Sequence, residues 1–227
     1  MERTSQTNEL TAAAVFTPRA RRVAAFFEAL GFAGFLAVYI WRLQLSERGM
    51  WWLLLLWLAT SLAIHRDSPK TVGWRADNLW KATRRSAPVF LAFSVALLAT
   101  GALMGGLHRP PIHLMPERFY GYLAFCLLQQ VGLNSFLTNR FLDATKSPAY
   151  AAILAGSVFA ALHWPNPVLV PLTLVGGMAM AWLFATERNI LPLALGQAVL
   201  GALVSWAFPV GWHHFMRVGP GFYTFPH

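Results

Sequence analysis

Residues 119–137 read FYGYLAFCLLQQVGLNSFL, a nearly unbroken apolar stretch that contains three carboxamide side chains. A helix of this length covers about 29 Å, close to the thickness of the hydrocarbon core of a bilayer. Backbone polar groups in lipid must be satisfied within their own segment, and a helix achieves this. The stretch therefore predicts a membrane-spanning helix that holds Gln129, Gln130 and Asn134 inside the membrane.

Six further apolar blocks, each 15 to 21 residues long, flank this stretch on both sides. Of the 227 residues, 56% are hydrophobic and 12% are charged, and the mean hydropathy is +0.48. A soluble domain of this size could not bury so much apolar surface in one core. We predict an all-α polytopic membrane protein with about seven transmembrane helices in one bundle, and exclude an ordinary cytosolic enzyme. The other predicted spans are 23–41, 50–64, 87–107, 148–163, 168–185 and 190–208.

The polar segments divide the chain into a membrane domain and two short ends. We predict a polar cytoplasmic N-terminus at 1–22, a single transmembrane domain at 23–208 and a polar C-terminal tail at 209–227. No repeat or linker interrupts the apolar part. Basic residues at 65–86, with Trp74 and Trp80 among them, predict a short interfacial helix before the third span.

The chain is strongly basic, with 18 Lys and Arg, 9 Asp and Glu and a net charge of +9. These residues lie in the polar segments, so they indicate membrane topology and contact with anionic lipid head groups, not a nucleic-acid partner. They concentrate at the N-terminus and in 65–86. The positive-inside rule places both on the cytoplasmic side of a multi-pass protein of the plasma (inner) membrane.

Polar side chains inside spans are costly, so they are the default candidates for function. The pairs Gln130 and Asn134, Phe159 and His163, and Gln197 and Gly201 are each four residues apart, which places each pair on one helix face. Three helices could therefore direct polar faces at one buried site. The alternatives are that the amides only join helices and that His163 is a structural residue at the membrane surface.

Three other polar or reactive groups have simpler interpretations. Glu28, near the start of the first span, is expected to be paired or to extend toward the membrane surface. Cys126 is expected to be a small core residue. His213 and His214 lack the spacing of a helical zinc pair, and neither a metal nor a cofactor is expected.

The polar residues resemble the three intramembrane motifs of the CPBP family, which includes type II CAAX prenyl endopeptidases and bacteriocin-processing proteins. Those motifs are Glu-Glu-x-x-x-Arg, Phe-x-x-x-His and His-x-x-x-Asn. Here QQVGLN at 129–134 takes the first place, FAALH at 159–163 the second and QAVLG at 197–201 the third. The resemblance extends over about 85–205 and implies the CPBP intramembrane protease fold.

The resemblance also implies roles for individual residues. Gln129 and Gln130 stand where the family has its two Glu residues, and Asn134 stands where it has Arg. His163 keeps the position of the water-activating His. Gln197 and Gly201 stand at the positions that stabilise the oxyanion, and Asn166 follows the second motif. We therefore expect His163, Gln129, Gln130 and Gln197 as catalytic residues and Asn134, Phe159, Asn166 and Gly201 as substrate-binding residues.

These substitutions bear directly on the expected activity, because a carboxamide cannot accept a proton as a general base. The sequence indicates a CPBP-like, metal-independent intramembrane endopeptidase homologue that acts on or binds a membrane-anchored protein segment, with impaired hydrolysis. The alternative is a non-catalytic pseudoprotease that binds or protects a membrane client. A small transporter would need a continuous polar path, and the polar groups form only one cluster.

Overall fold

The computed structural model describes residues 17–107 and 115–224, and the regular structure in these ranges is helical. The parts of the two predicted polar ends at 1–16 and 225–227 lie outside the described residues. The helices are α1 Pro18–Val38, α2 Trp51–Ile64, α3 Pro69–Val72, α4 Leu79–Leu103, α5 Met115–Gln130, α6 Asn139–Thr145, α7 Pro148–Ala161, α8 Leu169–Glu187, α9 Leu191–Ala207, α10 Val210–His213 and α11 Pro220–Tyr223.

Each predicted apolar block is helical over most of its length, which confirms an all-α polytopic membrane bundle. Three described helical stretches are long and apolar enough to cross a membrane, namely Pro18–Leu43, Leu79–Leu103 and Leu169–Glu187. The helices α2, α7 and α9 are apolar but shorter. With 14 residues, α2 is about 21 Å long, less than the hydrocarbon thickness.

The first helix begins within the predicted polar N-terminal segment, five residues before the predicted first span. The first helix begins at Pro18, and Thr17 caps it by accepting a hydrogen bond from the Ala20 amide at 3.2 Å. Three of the six basic residues of 65–86, namely Lys81, Arg84 and Arg85, lie in the first turns of α4 itself, which is preceded only by the four-residue helix α3. The separate interfacial helix is therefore a wrong prediction, because Pro88 is accommodated inside α4 without ending it.

The helix that carries the amides continues beyond the predicted span, which ends at residue 137. It continues from α5 through a π-helical segment, Val131–Thr138, into α6. Segments with π geometry occur mostly at functional positions, because the wider turn redirects the side chains that follow. Here Gln130 directly precedes the segment and Asn134 and Thr138 lie within it, and all three side chains are fully buried.

Small residues allow the helices around this segment to approach closely. The Gly177 position in α8 lies against Gly156 of α7, where an added Cβ would be 3.1 Å from the Gly156 Cα. A Cβ added at Gly101 of α4 would lie 2.7 Å from the Ala207 carbonyl oxygen of α9. This close packing at Gly101 and Gly177 helps to bring α7, α8 and α9 around the α5–α6 helix.

The connection from α2 to α4 is held on this helix by side-chain bonds to its backbone. Ser135 donates to the Val72 carbonyl at 2.5 Å, and Asn139 donates to the Thr71 carbonyl at 3.0 Å. From the other side, Asn189 donates to the Arg75 carbonyl at 2.9 Å. These contacts fix one end of the bundle next to the π segment.

A second polar cluster lies one to two turns beyond the amides and joins α1, α2 and α6. Arg140 is fully buried, and its guanidinium donates to Asp67 at 2.8 Å and to the Ser61 hydroxyl at 2.9 Å. Glu28 lies 3.4 Å from the Arg140 Nε and accepts a hydrogen bond from Ser61 at 2.5 Å. Glu28 also lies 2.9 Å from His65. The expected pairing of Glu28 is confirmed, with a partner that is distant in sequence.

Replacing Arg140 should destabilise the bundle strongly. Arg140→Met leaves Glu28 and Asp67 without the cation that compensates them, and breaking a buried ion pair on one side costs about 3–5 kcal/mol. We expect a large drop in the thermal unfolding midpoint of the detergent-purified protein. The matched control is Arg84→Met, at an exposed position of α4. An equal midpoint in the two variants would show that the Arg140 cluster does not stabilise the fold.

Candidate functional site

His163 lies just after α7, in the turn that leads to α8. Its Nδ1 is 2.6 Å from the Phe159 carbonyl oxygen, so Nδ1 carries the proton and donates it to that oxygen. The Phe159 ring also contacts the imidazole edge-on, with the ring centroids 4.6 Å apart. Nε2 of His163 has no protein partner within the described residues and is an acceptor. Phe159 therefore fixes both the orientation and the tautomer of His163.

The expected amide residues form one directed chain of hydrogen bonds between α5, the π segment and α9. Thr138 donates to Asn134 at 3.0 Å, and Asn134 donates to Gln130 at 2.5 Å. Gln130 donates to Gln197 at 2.6 Å, and Gln197 donates to Gln129 at 2.6 Å. We call this series the amide chain. It confirms that these side chains meet, and it adds Thr138, which the sequence interpretation missed.

The amide chain ends at the wall of two cavities. Gln129 accepts the last hydrogen bond with its oxygen, while no protein acceptor is found for its amide nitrogen among the described residues. Gln129 and His163 both line a cavity of about 180 Å³ between α4, α5, α8 and α9. Both also line a cavity of about 440 Å³ between α1, α2 and α5. The polar site therefore lies where the two cavities adjoin.

The surroundings of this junction are apolar. The larger cavity is walled by side chains such as Phe32, Leu36 and Leu58, and the smaller one by Phe90, Leu172 and Leu200. Within the described part of the chain, no charged side chain lines either cavity. The site thus offers one imidazole acceptor and neutral donors in an apolar environment that strengthens each polar contact.

The other expected residues take different places. Gly201 and Gln197 line the smaller cavity. Gln130 and Asn134 lie behind its wall, fully buried and engaged in the amide chain. Sequence reasoning also missed Tyr122, which lines the same cavity about two turns before Gln129. The signal was its spacing, since residues seven apart share a helix face.

Asn166 is buried outside the described lining of both cavities, where its amide organises backbone. Its oxygen accepts from the Val168 and Leu169 amides at 3.1 and 3.0 Å and so caps α8. Its nitrogen donates to the carbonyls of His213 and Arg217 at 2.7 and 3.1 Å. Both N–H donors and the oxygen acceptor of the Asn166 side chain are therefore used within the protein.

Through Asn166 the C-terminal segment becomes part of the cavity wall. The residues between its two carbonyl contacts, from His214 to Met216, have positive φ angles of 45°, 52° and 59°. Such angles are unfavourable for residues with a Cβ, by about 1–2 kcal/mol each. The conformation brings Met216 into the lining of the smaller cavity and Val218 into the lining of both.

Comparison with known proteins points to the same helices. Residues 119–203 match the family model described as type II CAAX prenyl endopeptidase Rce1-like. The matched range begins in α5 and ends in α9, so it contains the amide chain and His163. The match supports the predicted resemblance to the CPBP family over this part of the chain. No curated protein and no solved structure matches the chain.

Removing the Asn166 amide should detach the C-terminal segment from α8. Asn166→Ala removes four hydrogen bonds, two to the carbonyls of His213 and Arg217 and two from the amides of Val168 and Leu169. Loss of the partner of a buried polar group costs about 1–3 kcal/mol. We expect faster limited proteolysis within 210–224 and a lower unfolding midpoint. Asn189→Ala, which removes a buried amide from the other end of the bundle, is the matched control. Equal cleavage of the C-terminal segment in both variants would contradict this anchoring role.

Proposed function

We propose that the protein binds a membrane-anchored protein segment at the junction of its two cavities and hydrolyses a peptide bond there, with His163 as the general base. The observation that carries this proposal is the hydrogen bond from His163 Nδ1 to the Phe159 carbonyl. It leaves Nε2 as an unpaired acceptor at a site where Gln129 offers amide N–H groups. An acceptor and a donor at one apolar junction are what a water molecule and a peptide carbonyl require.

The reaction needs only groups that this junction holds. His163 Nε2 takes a proton from a water molecule while the water oxygen attacks the carbonyl carbon of the substrate. The carbonyl oxygen gains negative charge, which N–H donors such as that of Gln129 stabilise. The C–N bond then breaks, and the imidazolium returns its proton to the leaving amine. No metal ion is required for these steps.

The neutral residues around His163 make this a slow reaction. No charged side chain lines the described cavity walls, so an imidazolium formed at His163 gains no stabilisation from a neighbouring carboxylate. Loss of a general acid or base typically reduces a rate by about 10²–10⁴-fold. We therefore infer an intramembrane endopeptidase with residual activity, suited to a single client and not to bulk turnover.

The alternative is a non-catalytic protein that binds or protects a membrane client. One observation favours it: Gln129 and Gln197 use their polar atoms on each other and on Gln130. Fewer donors then remain for a developing oxyanion than the sequence motifs imply. In this alternative the same cavities hold the client segment, and His163 accepts a hydrogen bond from it without removing a proton.

The client is proposed to be anchored in the membrane because the cavities are apolar and open among membrane helices. Lipid contacts are proposed at the basic end of α4, where Lys81 and Arg85 pair with Glu187 but keep side-chain exposures of 74% and 53%. Trp80 beside them is 73% exposed, which fits a position among head groups. We further propose the plasma (inner) membrane, with this end and the N-terminus cytoplasmic.

The first test removes the proposed base. Protein termini are compared by mass spectrometry in membranes from wild-type cells, a deletion strain and a strain with His163→Ala. We expect a specific cleaved terminus to be absent from both mutants while the variant protein accumulates normally. His65→Ala, outside both cavities, is the matched control and should retain the terminus. If the same protein termini are found in all strains, the result would favour the non-catalytic alternative.

A second test restores a carboxylate. Gln129→Glu places one at the cavity wall, where it can stabilise the His163 imidazolium but can no longer donate to the oxyanion. The pH profile of the initial rate should therefore move to higher pH, because a neighbouring carboxylate favours the protonated imidazole. Gln130→Glu is the matched control: its side chain is fully buried between Met180, Asn134 and Gln197. A carboxylate there lowers stability without reaching the cavity. An unchanged pH profile in Gln129→Glu would contradict the proposed general-base chemistry.

A further inference from the structure

Tyr122 faces the proposed reaction site from α5. It lines the smaller cavity together with Gln129, His163, Gln197 and Gly201. Residues 122, 126 and 129 lie on one helix face, so the phenol projects from the same side of α5 as the end of the amide chain. Its neighbour Tyr120 is on the opposite, lipid-facing side and is 69% exposed. The two tyrosines therefore differ in environment although they share one helix.

Gly201 makes the space that the phenol occupies. A Cβ added at Gly201 would overlap the Tyr122 hydroxyl, and it would lie 2.5 Å from the adjacent ring carbon Cε1. No residue larger than glycine fits at position 201 without displacing the phenol. Gly201 in α9 therefore leaves the space that the Tyr122 side chain fills from α5. The Tyr122 hydroxyl lies at the cavity wall where a side chain at position 201 would otherwise project.

The hydroxyl is only weakly bound inside the protein. Its hydrogen bond goes to the Met216 sulfur at 3.7 Å, and it also interacts with the Cys126 thiol. Sulfur is a weak acceptor compared with a carbonyl oxygen. The amides nearby, in contrast, are bound to oxygen at 2.5–2.6 Å. Among the described polar groups of this wall, the phenol can therefore exchange its partner for a substrate oxygen at little cost.

We propose that Tyr122 is a further catalytic residue, whose O–H donates a hydrogen bond to the substrate carbonyl oxygen and stabilises the negative charge that develops on it. This inference rests on the proposed hydrolytic function. The phenol stays protonated throughout, so it acts as a donor and leaves the proton transfers to His163. It supplies the donor that Gly201 lacks and that Gln197 directs at Gln129.

The decisive variant is Tyr122→Phe, which keeps the ring and removes only the hydroxyl. The probe is the host membrane terminus that depends on His163, and its rate of formation is measured in isolated membranes over time. Loss of one oxyanion donor typically reduces a rate by about 10²–10³-fold. We expect a loss of about 100-fold or more in Tyr122→Phe and a wild-type rate in Tyr120→Phe. The pH profile should keep its shape, because His163 still sets it.

A second variant addresses the case in which Tyr122→Phe does not accumulate. Gly201→Ala keeps the hydroxyl but displaces it from its present position, and the rate should fall here as well. A wild-type rate in whichever variant accumulates would overturn the role of Tyr122, while the loss of the terminus in His163→Ala would leave the proposed function intact. If no terminus depends on His163 at all, the hydrolytic function fails and the donor role is overturned with it.

Discussion

The amide chain is the constraint on which the rest of the bundle depends. Each carboxamide in an apolar interior has to find a partner, because an unsatisfied polar group there costs several kcal/mol. The four amides and Thr138 meet this requirement by donating in one direction along α5, the π segment and α9. This direction leaves the donor end of Gln129 at the cavity wall. The same hydrogen bonds therefore satisfy the buried amides and leave the Gln129 amide nitrogen as a donor toward the cavity.

Keeping this interior neutral also decides where the charges lie. Arg140, a fully buried cation, is one to two turns away from the amides and meets Glu28 in the middle of α1 and Asp67 just after α2. Charge pairing fixes the helices there, while neutral hydrogen bonds fix them around the cavities. The site can then hold an uncharged peptide segment without a competing ion. This division favours recognition of carbonyl and amide groups over recognition of charged side chains.

Much of this organisation follows from the sequence alone. The apolar blocks predicted the helices because each is about long enough to span the membrane. An unsatisfied backbone polar group is costly in lipid, and a helix satisfies these groups within its own segment. The spacing of Gln130 and Asn134, and of Gln197 in a separate block, predicted that they meet, and the family resemblance placed His163 beside them. The π segment was not predictable, because the extra residue in its turns leaves no distinctive pattern. The Arg140 pairing and the overlap of Tyr122 with Gly201 arise from contacts between distant residues, which periodicity does not encode. The catalytic and binding roles of the expected residues stay predictions.

The C-terminal segment shows why the cavity needs more than its membrane helices. Three successive left-handed residues are unfavourable by several kcal/mol in total, so another interaction must hold them. Asn166 does so by binding the carbonyls on both sides of that turn while capping α8. The result is that Met216 meets the Tyr122 hydroxyl and Val218 lines both cavities. A residue that the motifs suggested as a substrate contact thus acts on the site indirectly, by shaping the wall against which a client would pack.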